Sequence, residues 1–166
     1  MHNTAAPLIP LKYFSNDSFH EALGSIVLTK GVYDLTHSGH IKSLWKASEF
    51  GDCLVVALAS DESVHERKGE TRPIMHLQER LAVVSSLKMV DYVTVYDDTS
   101  PYSLIMTVRP HLFCASHFNY LTDLEQHSLR SLSIELRQLP RPDERSTSDI
   151  VDHILKTSAI DTSEEA

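Results

Sequence analysis

Strands alternating with helices along the whole chain predict an α/β fold: a Rossmann-like, doubly wound, five-stranded parallel sheet with helices on both faces. Three observations carry that expectation. Short apolar runs recur at 25–29, 53–59, 91–96, 111–114 and 133–139, and segments with helical spacing separate them. The run at 53–59, CLVVALA, is apolar throughout, as in a strand buried on both faces of a parallel sheet. A polar loop with two glycines follows the first run, at the carboxyl end of a strand, where such sheets place their ligands.

The elements follow in order. Residues 1–11, with Pro7 and Pro10, read as an N-terminal arm; 12–157 read as one domain and 158–166 as a polar tail. A short helix over 15–23 is capped near Ser15 or Asn16 and broken by Gly24. The first strand, 25–29, leads into the loop 30–39. Residues 40–50 space Ile41, Leu44, Trp45 and Ala47 as on a helix, which Gly51 ends. After the second strand, Ser60-Asp61 opens a short helix, and the polar stretch 66–71 reads as a loop punctuated by Gly69 and Pro73. A helix over 77–87 precedes the third strand. Pro101 suits the first turn of a helix running to about Val108. The fourth strand, a helix over 123–129, the fifth strand with its alternating Ile134, Leu136 and Gln138, and a closing helix over 147–155 complete the chain.

Composition narrows the function. The 166 residues are 42% hydrophobic and 23% charged, which suits a folded domain rather than disorder. Fifteen Lys and Arg against 23 Asp and Glu leave a net charge of −8, which argues against general nucleic-acid binding but leaves room for a local basic pocket. Cys53 and Cys114 lie in apolar runs and read as buried thiols, neither a disulfide framework nor a metal cluster. No apolar stretch approaches the length of a membrane span and the N-terminus lacks a signal-peptide pattern, so the expectation is a cytoplasmic protein without membrane contact.

The loop Gly31-Val-Tyr-Asp34-Leu-Thr-His37-Ser-Gly39-His40 carries the chemistry. Gly31 allows close backbone approach to a ligand. Gly39 and His40 open the following helix, whose free N–H groups and dipole favour an anion. His37 and His40, three apart, can converge on one ligand. Together these groups fit a triphosphate held by backbone donors, with the imidazoles stabilising charge that develops on the attacked phosphate. No nucleophilic side chain is needed. Zinc fits poorly, because two histidines lack evident third and fourth ligands. The bland alternatives are a capping role for the histidines, a plain N-cap for Ser146-Thr147-Ser148, a solvated charge run for Arg67-Lys68, surface decoration for Glu79-Arg80, a helix cap for Asp61, and a core or dimer contact for Trp45.

These residues resemble the nucleotidyltransferases of the His-x-Gly-His superfamily, the cytidylyltransferase-like enzymes, and within it the heptose 1-phosphate adenylyltransferase domain of bacterial ADP-heptose synthesis. The similarity covers about 12–156 and rests on the segment from Thr29 to His40, Ser60-Asp61-Glu62, Arg67-Lys68 through Arg72-Pro73-Ile74, Glu79-Arg80, Val90-Asp91-Tyr92-Val93 and Arg145-Ser146-Thr147-Ser148. The resemblance implies attack of a substrate phosphate oxygen on the α-phosphate of a nucleoside triphosphate, with pyrophosphate leaving and Mg²⁺ assisting. It implies catalytic roles for His37, His40, Lys68 (on a mobile loop with Arg67) and Arg80. Nucleotide binding falls to Thr29, Gly31, Val32, Tyr33, Gly39, Arg145, Ser146, Thr147 and Ser148, besides the two histidines. Asp34 and Arg72 would face the phosphorylated sugar or polyol. Mg²⁺ would ride on the triphosphate, with Asp34 or Asp61 as the nearest carboxylates. Family resemblance also implies a homodimer.

One segment departs from the pattern. Where the heptose branch has Lys-Gly-Gly-Asp-Tyr after the fourth strand, this chain reads Ser116-His117-Phe118-Asn119-Tyr120. The triphosphate half is intact and the acceptor half is altered, with His117 and Asn119 as candidate specificity residues. Three readings stay open: AMP transfer from ATP to a sugar phosphate such as heptose 1-phosphate, a glycerol-3-phosphate-type cytidylyltransferase using CTP, and an inactive nucleotide-binding module. A class I aminoacyl-tRNA synthetase, which shares the histidine-motif logic, is not the expectation for so short and acidic a sequence.

Overall fold

A computed structural model describes residues 5–97, 101–139 and 146–164, from 158 onward by backbone alone. Five parallel strands form one sheet: β1 (Ile26–Gly31), β2 (Cys53–Ala59), β3 (Tyr92–Tyr96), β4 (Leu112–Ala115) and β5 (Glu135–Gln138), in the order β3-β2-β1-β4-β5. The α-helices are α1 (Asp17–Ala22), α2 (Ser38–Ser48), α3 (Asp61–Lys68), α4 (Leu77–Ser85), α5 (Tyr102–Val108), α6 (Asp123–Ser131) and α7 (Thr147–Glu164), with a 3₁₀ turn at Leu11–Ser15 ahead of α1. The fold class predicted from the sequence is the one observed.

Strand order reverses at β1, which pairs β2 on one side and β4 on the other. Chain segments leaving β1 and β4 therefore diverge, and the crevice between them is the topological switch point. Side-chain alternation along β1 sorts the core into two layers. Ile26 and Leu28 pack with Val55, Ala57, Phe113 and α5, whereas Val27 packs with Leu54, Val56, Leu44 of α2 and Val84 of α4. Cys53 and Cys114 are buried free thiols, and burial pushes each thiol up to about 12. No described helix is long and apolar enough to cross a membrane.

The structure differs from the sequence-based expectation in four places. β1 runs two residues further, because Lys30 and Gly31 pair with Ala57 and Leu58. The helix α3 continues to Lys68, through half of the predicted loop, and stops at Gly69 with φ +90°. The closing helix α7 runs to Glu164 rather than to Leu155, into the stretch expected to be a tail. Finally, the arm is tied to the sheet: Leu8 bridges Val93, the Ile9 N–H donates to Val93 C=O at 2.9 Å, and the Val93 N–H donates to Pro7 C=O at 3.1 Å. That pairing covers the otherwise open edge of β3. Trp45 is not a core residue; it is 41% exposed, with the Lys88 ammonium 4.9 Å over its ring.

Candidate active site

A cleft of about 540 Å³ opens at the switch point. Its floor is Thr29, Lys30 and Gly31 from β1 with Ala115 at the end of β4 and Ser116 just after it; its walls bring His37, Gly39 and His40, then Lys68, then Ser146, Thr147 and Ser148. Two helix N-termini, those of α2 and α7, thus face one space. Each end carries a positive dipole terminus, which favours an anion in the cleft.

The histidine geometry sets the proton positions. His37 is the N-cap of α2, and its Nδ1 accepts from the Gly39 N–H at 3.1 Å. His40 Nδ1 accepts from the His37 N–H at 3.4 Å, closing a reciprocal capping box. An Nδ1 that accepts carries no proton, so both neutral rings hold theirs on Nε2 as a donor. The rings lie 4.0 Å apart between centroids. Burial, then the neighbouring His37 and Lys68, bring His40 down to about 4, so it is neutral at pH 7. Capping and ligand binding are therefore compatible: Nδ1 serves the backbone and Nε2 remains for the ligand.

The loop between β1 and α2 is strained and clamped. Tyr33 and Leu35 adopt φ of 55° and 46°, a left-handed conformation that costs roughly 1–3 kcal/mol per non-glycine residue. Asp34, between them, is buried; its carboxylate accepts from the Ile74 and Met75 N–H groups, both at 2.9 Å, and from Arg72 at 3.4 Å. Its carbonyl accepts from the Thr147 hydroxyl at 2.9 Å, which docks the start of α7. Arg80 is fully buried and donates to Asp61 at 2.6 Å, Val32 C=O at 2.7 Å and Met75 C=O at 3.1 Å. It does not line the cleft and instead ties α3, the loop after β1 and the turn before α4 together, and the surface alternative for Glu79-Arg80 does not hold for the arginine. Gly31 has a packing reason as well: a Cβ there would stand 2.8 Å from Tyr33 Cε2.

The remaining site residues divide clearly. Lys68 lines the cleft from the last turn of α3, not from a loop, and burial followed by the charges of Arg72 and Arg67 lowers its ammonium. Thr29 and Tyr33 line the cleft side by side, whereas Val32 contributes its carbonyl to Arg80. Ser146 caps α7 through a reciprocal pair with Asp149. Asp61 is not the cap of α3, a role Ser60 takes; its carboxylate accepts from Leu77 N–H and Arg80. Arg72 is engaged by Asp34 and does not line the cleft. His117 turns toward Tyr120, ring centroids 5.0 Å apart, and Asn119 is exposed; neither lines the cleft. Arg145 lies outside the described residues. Sequence reasoning missed Lys30, Ser43, Ser116 and Leu139. For Lys30 a signal existed: a lysine at the end of an apolar strand, directly before Gly31.

A protein-only metal cage is not formed by these carboxylates. Among the described residues no group of three His, Cys, Asp or Glu is placed to hold an ion, and Asp34 and Asp61 already accept from protein donors.

Comparison with known proteins agrees with this geometry. A family model described as Cytidylyltransferase-like matches residues 28–158. The curated Bifunctional protein HldE of Geobacter sulfurreducens is 38% identical over 133 residues, which is 79% of this chain and 27% of that protein. Its counterpart from Wolinella succinogenes is 49% identical over 85 residues, 51% of this chain and 18% of that protein. The chain thus spans about a quarter or less of the length of these relatives. Among solved structures, the lipopolysaccharide core biosynthesis protein from Thermoplasma volcanium GSS1 has a TM-score of 0.60 at 28% identity, covering 74% of this chain and 99% of that one. A pantoate-beta-alanine ligase from Francisella tularensis shares the fold at a TM-score of 0.59 and 14% identity, covering 87% of this chain and 69% of that one. The matched model spans most of the chain and includes both histidines, β1 from Leu28 onward and the start of α7; this chain belongs to the cytidylyltransferase-like family.

Proposed function

We propose that the chain transfers AMP from ATP to a sugar phosphate of the heptose 1-phosphate type and releases pyrophosphate. The observation that carries this reading is the convergence of two Nε2–H donors, two helix N-termini and Lys68 on one cleft at the switch point. Resemblance to the heptose branch supplies the base and the acceptor class.

In this reading an acceptor phosphate oxygen attacks the α-phosphorus. The bond to the bridging oxygen breaks, and pyrophosphate leaves. The chain binds and orients the triphosphate through the N-termini of α2 and α7. His37 and His40 donate from Nε2 to oxygens that gain charge in the transition state, and Lys68 neutralises charge from the α3 side. Nothing in the step needs a covalent enzyme intermediate. Mg²⁺ would be held by phosphate oxygens and water, as suits a hard cation that keeps its hydration shell. The cytoplasm, where nucleoside triphosphates are made, is the compartment such a reaction needs, and a homodimer is the assembly the resemblance suggests.

The test measures pyrophosphate release with Mg²⁺ for each of the four ribonucleoside triphosphates against heptose 1-phosphate, glycerol 3-phosphate and other sugar phosphates. Release with ATP and a sugar phosphate, lost in His37→Ala, supports the reading. Release with CTP and glycerol 3-phosphate replaces it with the polyol alternative. Triphosphate binding without turnover of any pair favours a binding module, and no triphosphate binding refutes the reading of the loop.

A further inference from the structure

Lys30 is a charged cleft residue that the triphosphate reading leaves unused. It sits at the carboxyl end of β1, and strand alternation puts it on the Ile26–Leu28 face, opposite the layer that carries α2. Neighbouring strand positions on that face are small, Ala57, Ala59 and Ala115, so the long side chain has room to lie across the sheet end. Its ammonium stands 4.0 Å over the Tyr120 ring and 5.8 Å from the Tyr96 ring. Among the described residues no carboxylate forms an ion pair with it. Burial, then the charge of Arg67, brings it down to about 8.

The surroundings point the same way. The Tyr120 hydroxyl and His117 Nδ1 are buried without a hydrogen-bond partner, whereas Arg67 faces the buried Tyr96 hydroxyl both as a charge and as a hydrogen-bond donor. Buried polar atoms are normally satisfied, so two of them, on and beside the ring that the Lys30 ammonium covers, point to a ligand that supplies the missing partners. Aromatic faces hold a cation in position without neutralising it. The segment 115–120 contains no Lys or Arg, so the positive charge beside the Tyr120 ring comes from Lys30, with Arg67 on the Tyr96 side.

We infer that Lys30, walled by Tyr96 and Tyr120, binds the phosphate group of the acceptor, a phosphate monoester, on the face of the sheet opposite the histidines. This rests on the nucleotidyl-transfer reading above. Placed there, the monoester approaches from the Lys30 side while the triphosphate lies along α2 and α7, which presents the two phosphates across Gly31. Lys30 thereby selects for an acceptor that carries its own negative charge.

The test titrates inorganic phosphate, glycerol 3-phosphate and heptose 1-phosphate into the chain saturated with the α,β-methylene analogue of ATP, followed by calorimetry. At least one probe is expected to bind the parent. Lys30→Met should weaken that binding about ten- to a hundredfold, as loss of a charge-assisted contact does, with analogue affinity unchanged within twofold. Lys30→Arg should restore most of it. Thermal unfolding of Lys30→Met at or above the parent's midpoint establishes that the fold is intact. The inference is overturned if monoester affinity survives Lys30→Met, if analogue affinity falls as far as monoester affinity, or if the parent binds the analogue but none of the three probes. Failure of the parent to bind the analogue is a different result: it refutes the nucleotidyl-transfer reading, and the acceptor assignment goes with it.

Discussion

Replacing Arg80 with methionine tests how the site is held together. The guanidinium has no solvent exposure and ties three separate segments: the start of α3 through Asp61, the strained loop through Val32 C=O, and the turn before α4 through Met75 C=O. Hydrogen bonds from a charged donor contribute about 1.5–3 kcal/mol each, and desolvation of the guanidinium offsets part of the sum. Methionine fills most of the volume but leaves two carbonyls and a carboxylate without their partner. The carboxylate is partly exposed and keeps the Leu77 N–H, so water and that bond limit its loss. The expected destabilisation is about 3–5 kcal/mol, the range for removing one member of a buried ion pair. For a domain of this size that lowers the melting temperature by roughly 6–20 °C. Urea denaturation with an unchanged m-value gives the energy, and triphosphate titration gives the functional effect. Because Arg80 anchors the loop that presents His37 and His40, catalytic efficiency should fall about a hundredfold, as for a displacement near 1 Å. Arg80→Lys should keep only the Asp61 contact and lie between. A stability loss below 1 kcal/mol would refute the clamp. A full loss with unchanged triphosphate affinity and turnover would refute its role in positioning.

Three further outcomes are expected. His37→Ala and His40→Ala should each lower kcat by about 10²–10³ with a smaller change in triphosphate affinity, measured by pyrophosphate release; turnover within threefold of the parent would remove them from the chemistry. His40, brought down to about 4 in the folded chain, stays neutral while an unfolded imidazole protonates near 6.5, so the unfolded state binds more protons in between. Stability from this group is therefore complete above about pH 6.5 and is lost as the pH falls toward 4; urea midpoints against His40→Gln should differ by about 1–2 kcal/mol less at pH 4.5 than at 7.5, solvent screening included. Gly31→Ala should destabilise by about 1–3 kcal/mol, because its Cβ would overlap the buried Tyr33 ring at 2.8–3.0 Å; chemical denaturation equal to the parent would show that the ring can move.

Much of this molecule was legible in its sequence, for physical reasons that are local. The run CLVVALA could satisfy its backbone and bury both faces only as an interior parallel strand, and β2 occupies that stretch with every residue buried. Gly39 and His40 declared a helix start at a strand end, and the cleft forms there. Interactions distant in sequence decided the rest. Asp34 and Arg72 read as substrate contacts because a charged side chain beside a ligand loop looks available; only the fold brings the Ile74 and Met75 N–H groups to that carboxylate and commits it to the protein. Arg80 read as catalytic or as surface because nothing in a helix sequence reports burial of one arginine among three segments. Lys30 went unremarked because its partners, Tyr96 and Tyr120, are 66 and 90 residues away in the chain and meet it only through strand order. Pattern and propensity act over a few residues, so the sequence by itself determined the elements, their parallel arrangement and the anion-binding loop. Which charged groups face the ligand and which hold the scaffold depends on register and layer, and only the tertiary structure decided that.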